Sequence, residues 1–198
     1  MLQWSMYSEL RRPRPVEVAV LRDDAFGAVE TYTIPYDGIY AGAISGTYDA
    51  RIEELIAGSW YRVQDVNRFQ PYLARANQTR IKNYSGSAFG IVVFRGVVDG
   101  RVRGFRVMRK IFEGTLAGYA TQTFSESGLF MIVARCPYGL AVDYYSRGYD
   151  AWWESYALNS VYAGYVAVGY ALAPVDRFRV RNKSSVSVAV KVYVVGWV

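Results

Sequence analysis

Apolar and polar side chains alternate most cleanly near the C-terminal end. In an extended chain Val186, Val188, Val190, Val192 and Val194 point one way, and Ser187, Ala189, Lys191 and Tyr193 the other. Period two over nine residues predicts a half-buried antiparallel strand. The same alternation starts at Val16 and runs to Leu21, and a further strand is predicted over residues 105–112. Residues 39–45 and 129–134 read as apolar strands. Residues 90–98 and 101–108, separated by Asp99-Gly100, predict a hairpin, because Asp-Gly suits a type I′ turn. Helical signals are few. Residues 49–55 admit a helix although their counterpart 139–145 is β-rich, and residues 151–158 read as one short turn.

The pattern recurs along the chain. Thr31-Tyr32-Thr33-Ile34 followed by Asp37-Gly38-Ile39-Tyr40 returns ninety residues later as Thr121-Gln122-Thr123-Phe124 followed by Ser127-Gly128-Leu129-Phe130. Arg80-Ile81-Lys82-Asn83-Tyr84-Ser85 returns at an offset of 99 as Arg179-Val180-Arg181-Asn182-Lys183-Ser184. The change of offset places nine inserted residues between Gly148 and Arg179. The block order is kept and Gly and Asn fall at turn positions, which favours duplication over chance similarity between apolar strands. Short strands with regular turn signals indicate sandwiches or barrels. The expected fold is all-β: two tandem antiparallel jelly-roll-like β-sandwich repeats with an extended N-terminal arm. The arm is placed at residues 1–15 and the repeats at 16–98 and 101–198.

The Thr-x-Thr block, the Asp-Gly-Ile-Tyr turn and strand, and Arg-Ile-Lys-Asn-x-Ser before an apolar strand resemble small jelly-roll modules. Such modules occur in virion structural proteins, archaeal extracellular filaments and carbohydrate-binding appendages. The resemblance implies a structural or binding role and assigns no binding residue.

Composition narrows the chemistry. The chain of 198 residues has no His and one Cys, Cys136. That removes His-based triads, imidazole acid–base catalysis, His-ligated zinc and an internal disulfide framework. No metal and no cofactor are expected. Carboxylate pairs remain as the enzymatic option, with Glu53, Glu54, Asp143, Asp150 and Glu154 as candidates for a glycosidase-type site. Asp23, Asp24 and Asp143 are scattered acids that a calcium ion could draw on. Adjacent Glu53 and Glu54 are expected on opposite strand faces.

The net charge is +6, carried by nineteen Arg against four Lys. Few amides, no His and one Cys fit a hot habitat. Arg101, Arg103, Arg106, Arg109 and Lys110 form a cluster with a polyanion-contact reading, set against the simpler reading of a solvated face; nucleic acid is not the favoured partner. Arg11, Arg12 and Arg14, with Pro13 and Pro15 keeping the backbone extended, mark the arm as an assembly element together with Trp4 and Tyr7. Tyr149, Trp152, Trp153, Tyr162 and Tyr165 are aromatic candidates for a subunit interface or a glycan-stacking face, with core packing as the plainer alternative.

No apolar run is long enough for a transmembrane helix, and the opening lacks the apolar segment of a secretory signal. The ranking that follows puts a non-enzymatic, self-assembling structural protein first, as a virion capsid, spike or filament subunit. Its partners would be copies of itself and other virion proteins, assembled in the cytoplasm into a virion or extracellular structure. A carbohydrate- or surface-binding module comes second and a carboxylate glycosidase third. The apolar strand running to Val198 is expected to be an edge that assembly buries.

Overall fold

The computed structural model describes residues 12–66, 70–98, 104–135, 139–158 and 166–198. Among them the regular structure is antiparallel β throughout, with no α-helix. The first half contains β2 (Glu17–Phe26), β3 (Thr31–Thr33), β4 (Gly38–Ile44), β5 (Ala50–Ile56), β6 (Ser59–Asp65), β7 (Tyr72–Ala74), β8 (Thr79–Asn83) and β9 (Phe89–Val97). The second contains β10 (Phe105–Leu116), β11 (Thr121–Phe124), β12 (Gly128–Arg135), β13 (Leu140–Ser146), β14 (Ala151–Leu158), β15 (Val166–Ala173), β16 (Phe178–Asn182) and β17 (Val188–Trp197). A two-residue strand, β1 (Arg14–Pro15), precedes both.

The first half forms sheets in the order β2-β9-β4-β7 and β3-β8-β5-β6; the second forms β10-β17-β12-β15 and β11-β16-β13-β14. The two orders are the same. In each half only one hairpin joins neighbours in sequence, β5–β6 and β13–β14, and the other strands reach their partners by crossing between sheets. This is jelly-roll connectivity, in which strand alternation buries one face of each sheet against the other.

The first half closes around Phe26, Tyr40, Ile52, Ile81, Ile91 and Val93. The second closes around a ring stack in which Phe178 lies between Phe124 and Phe130, with centroids 4.9 and 5.0 Å away. Each fully buried side chain of this size contributes about 1.5–3 kcal/mol.

Local details recur between the halves. Both β5 and β13 carry a bulge before an acid, Glu53 and Asp143. Each acid pairs with the Arg opposite it: Arg80 Nε reaches Glu53 at 2.7 Å and Arg179 Nε reaches Asp143 at 2.8 Å. Each of those guanidinium groups covers a Trp ring, Trp60 at 4.1 Å and Trp152 at 4.5 Å. Asn83 Nδ2 donates to Gly27 and Ser87 carbonyls, and its Oδ1 accepts from Ser85. Asn182 does the same with Ala117, Val186 and Ser184. The buried amide ties the turn after one strand to the end of another, and nothing smaller could make all these bonds.

The registers resolve the nine-residue difference. Ile52 faces Gln64 and Val142 faces Tyr156, so β6 and β14 differ by 92; Gly38 faces Ala74 and Gly128 faces Ala173, so β7 and the end of β15 differ by 99. Two residues lengthen the β13–β14 turn, and seven lie between β14 and the end of β15.

Several sequence expectations are corrected. Residues 49–55 and 151–158 are β5 and β14, because non-local pairing overrides weak helical propensity. Asp99 and Gly100 lie outside the described residues, and the strands expected to flank them do not pair with each other: β9 is paired on both sides by β2 and β4, which leaves β10 no edge to join. Instead β10 pairs with β17. The C-terminal strand is therefore flanked by β10 and β12 and is not an edge. Its alternation begins at Val188, since Val186 is exposed in the preceding turn.

Candidate assembly surfaces

The two halves meet where the outward face of β4 and β9 receives the β13–β14–β15 side of the second half. On a strand whose one face fills the first core, alternate residues Ala41, Ala43, Val92 and Phe94 point to the other side, where they join the second core instead of solvent. Phe94 packs edge-on against Tyr144 with centroids 5.2 Å apart. Ser155 Oγ donates to the Gly42 carbonyl at 2.6 Å. Asp23 on β2 accepts from the Ser146 hydroxyl and, at 2.9 Å, from the Arg147 amide. The chain closes tightly here: a Cβ on Gly148 would lie 2.5 Å from the Asp23 carbonyl oxygen, and one on Gly90 would lie 2.5 Å from the Trp153 ring.

This joint absorbs much of the aromatic cluster. Trp153 is buried and tilts against Tyr149 at 5.2 Å, and both rings close on Gly90. Trp152 has Arg179 over one face and Tyr145 beside it at 5.2 Å. Protein groups cover part of each ring, and the remaining surface of Trp152 and Trp153 lines an open depression of about 430 Å³ with Ile44, Gly46, Thr47 and Glu154. Tyr162 and Tyr165 lie outside the described residues.

Of the cationic cluster, Arg106, Arg109 and Lys110 sit on the exposed first part of β10. Arg109 pairs with Glu126 and Lys110 with Glu113, and Glu113 also takes Lys191 at 2.6 Å. Hydrogen bonds from the two lysines hold the Glu113 carboxyl down at about 2. Two of the three described cations are thus matched by acids. Arg101 and Arg103 lie outside the described residues.

Of the arm, Trp4, Tyr7 and Arg11 lie outside the described residues, and Arg12 is exposed. Arg14 and Pro15 pair with Trp197 and Gly196, and the Arg14 guanidinium stands 5.1 Å from the Trp197 ring centroid. The root of the arm therefore adds to a sheet of its own chain. Val16 follows directly into the core.

Of the carboxylate candidates, Asp143 and Glu154 come together, directly opposite each other on β13 and β14, while Glu53, Glu54 and Asp150 are each held by partners of their own. Glu53 accepts from Arg80 and from the Tyr84 hydroxyl; burial pushes its pKa up, but those two hydrogen bonds outweigh it and hold it below the usual value. Glu54 holds Tyr72, whose phenol is pushed up by burial and by that carboxylate. Asp143 is buried and bound by Arg179 and Arg181, and Arg181 bridges it to Glu154 with both contacts at 2.9 Å. Asp150 accepts from Tyr145. Asp24 pairs with Arg22 at 2.8 Å. Among the described residues no three acidic or sulfur side chains gather as a metal-binding group.

Apart from Tyr170, which the sequence offers as part of a Tyr-rich strand and an inter-subunit contact, the exposed apolar residues of the sheet edges were not singled out from sequence. Phe105, Val107 and Met108 are exposed on β10; Tyr61 and Val63 on β6; Val166, Val168 and Tyr170 on β15. All three are sheet-edge strands. Alternation marks such positions as the solvent side of a strand, and their apolar character is the available signal.

No family model matches this chain, and no curated protein matches it. Solved structures with similarity include AerE from Microcystis aeruginosa, at 9% identity over 95% of both chains and a TM-score of 0.32. The major capsid protein of Bacteriophage PM2 matches at 11% identity over 92% of this chain and 98% of that one, with a TM-score of 0.31. A turret protein of Sulfolobus turreted icosahedral virus matches at 11% identity over 90% and 98%, with a TM-score of 0.27.

Proposed function

We propose that this chain is a non-enzymatic structural subunit that assembles with copies of itself, as part of a virion shell, spike or filament, and that it arose by duplication of one jelly-roll unit. The observation that carries the reading is the apolar character of the sheet edges. The exposed first half of β10 presents Phe105, at 44% exposure, and Val107, at 48%, on a strand with one unpaired side. An exposed edge with apolar side chains is a template for association, and a protein that stays monomeric blunts it with charge, Pro or a cover. Here Arg106, Arg109 and Lys110 supply some charge, which selects partners without removing the edge. The arm suits the same role. Its root is anchored on β17, and the residues before it are long enough to reach a neighbour, at about 3.3 Å per extended residue.

Light scattering and negative-stain electron microscopy of the purified chain test this. Defined oligomers, shells or fibres are expected. A chain that remains monomeric at high concentration with its arm intact overturns the assembly reading. Removing residues 1–12, which leaves β1 and Val16 in place, is expected to reduce assembly while the far-ultraviolet circular dichroism stays that of the full chain.

A further inference from the structure

The joint inside the molecule has a counterpart on each half that is left open among the described residues. Register gives the correspondence: counterparts are 90 residues apart as far as β5 and β13, 92 apart on β6 and β14, and 99 apart from β7 and the end of β15 onward.

The receiving face comes first. In the first half Ala41, Ala43, Val92 and Phe94 are buried by the second half. Their counterparts in the second half are Met131, Val133, Lys191 and Tyr193. Met131 faces Tyr170 and Tyr193 across the sheet, and Val133 faces Val168 and Lys191. Together they form an outward surface that sets apolar side chains beside Lys191, its partner Glu113 and, at the end of β12, Arg135. Lys191 is exposed, and Met131, Val133 and Tyr193 are half-exposed. Glu113 stands where the first half has Asp23. A shallow depression of about 690 Å³ on this face is lined by Val133, Val166, Lys191 and Tyr193.

The inserted side comes second. In the second half it presents Ser146, Trp153, Ser155 and Leu172 to the joint; Leu172 meets the position of Gly96, and Trp153 that of Gly90. The counterparts in the first half are Ile56, Tyr61, Val63 and Leu73. All four are exposed: Ile56 at 51%, Tyr61 at 54%, Val63 at 39% and Leu73 at 60%. Where the second half uses two serines, the first half carries Ile56 and Val63, more apolar than the residues known to pack. Solvent alone does not account for four apolar side chains at these positions.

We infer that a second copy of this chain seats its β6–β7 edge, through Ile56, Tyr61, Val63 and Leu73, on the outward face of β12 and β17 formed by Met131, Val133 and Tyr193, at the places that correspond to the joint between the two halves. The occupant is a copy of the chain because this face and this edge are the open counterparts of the two sides of that joint; the face carries Met131, Val133, Ala189 and Val195 where the joint has Ala41, Ala43, Gly90 and Gly96, so Tyr61, a smaller ring than Trp153, lies on the face without sinking into it. The contact is head-to-tail, joining different patches of the two molecules, so it closes into a ring or runs on as a filament. It rests on the assembly reading and names the surfaces that carry it.

Two complementary variants test it. Tyr61→Asp with Leu73→Asp spoils the inserted edge and leaves the receiving face. Met131→Asp with Tyr193→Asp spoils the face and leaves the edge. Each alone is expected to lose the larger species seen for the unaltered chain by size-exclusion chromatography with light scattering. An equal mixture is expected to give one-to-one dimers, since one good edge meets one good face and growth stops there. The milder Tyr61→Ser and Tyr193→Ser pair repeats the test if an acidic variant melts early. If the unaltered chain assembles and both variants assemble as well as it does, or the mixture stays monomeric, this contact is wrong and the assembly reading stands. If the unaltered chain is itself monomeric, both fall.

Discussion

Asp23 on β2 and Arg177, in the turn before β16, meet across the joint with Oδ2 and Nη2 2.9 Å apart, and both side chains are withdrawn from water. The guanidinium lies 5.9 Å from the Phe94 ring centroid, and its Nη1 has no hydrogen-bond partner among the described residues. Asp23 is thus the main compensation for a buried positive charge, and it also accepts the Ser146 and Arg147 bonds. Removing one partner of such a pair leaves the other charged and desolvated, which costs about 3–5 kcal/mol. Asp23→Ala is expected to lower the denaturation midpoint by that order. Asp23→Leu combined with Arg177→Met is expected to recover much of the loss, because the double change removes both charges. Equal losses in the single and double variants would show that the pair does not stabilise the joint.

The two buried amides make matching bonds in separate halves. Asn83→Ala strands the Gly27 and Ser87 carbonyls and the Ser85 amide; Asn182→Ala strands their counterparts. Each is expected to cost about 1–3 kcal/mol. The two sets share no partner, so the costs should add in the double variant. Urea unfolding of the three proteins checks this.

Gly90 and Ala189 are counterparts with opposite surroundings. Gly90→Ala drives a methyl into the Trp153 ring and is expected to cost about 1–3 kcal/mol by overpacking. Ala189 is exposed on β17, so Ala189→Gly is expected to cost about 1 kcal/mol or less, through backbone entropy alone. Thermal melts of the pair separate joint packing from strand propensity.

Acid should loosen the first half. The Glu53 pKa is held below its unfolded value, so this carboxylate stabilises the fold fully above about pH 4.3, the unfolded reference. That contribution disappears as pH falls through the lowered folded value. Glu53→Gln is expected to flatten the acid limb of the stability–pH curve. An unchanged limb would count against the Arg80–Glu53 pairing.

Alkali should reveal the buried phenols. Burial pushes the Tyr40 phenol up to about 12 and raises those of Tyr144 and Tyr156 as well. Raised values mean the neutral phenol favours the fold below pH 10, the unfolded reference, and that support is lost as pH climbs through the folded values. Tyrosinate absorbance is expected to rise in two stages, exposed phenols first and these three only as the chain unfolds. A single reversible stage near pH 10 would contradict their burial.

Strand existence was legible in the residues. Period two, Thr-rich short strands and Asn or Gly at turns are local signals, and they located most strands and the correspondence of the two halves. The same locality explains the misreadings. Asp99-Gly100 is a good hairpin turn in isolation, yet β9 has neighbours on both sides from elsewhere in the chain. Residues 151–158 carry no clean alternation because one face of β14 packs in its own sandwich while Trp153 packs in the joint. Trp152 and Trp153, neighbours in sequence, part in the fold: one meets Arg179 and the other Gly90, and both line an open depression that no local pattern foretells.

The amino-acid order alone pointed to an all-β chain with a recurring pattern, and its inventory holds no His and one Cys, because these properties follow from backbone periodicity and residue count. Which outward face is covered and which is left open was decided only in the folded molecule. Ala41 and Met131, or Ser155 and Val63, occupy like places in like strands; burial differs because a jelly roll has two ends and the chain contains only one joint. That asymmetry is a property of packing between distant segments, and no local pattern encodes it.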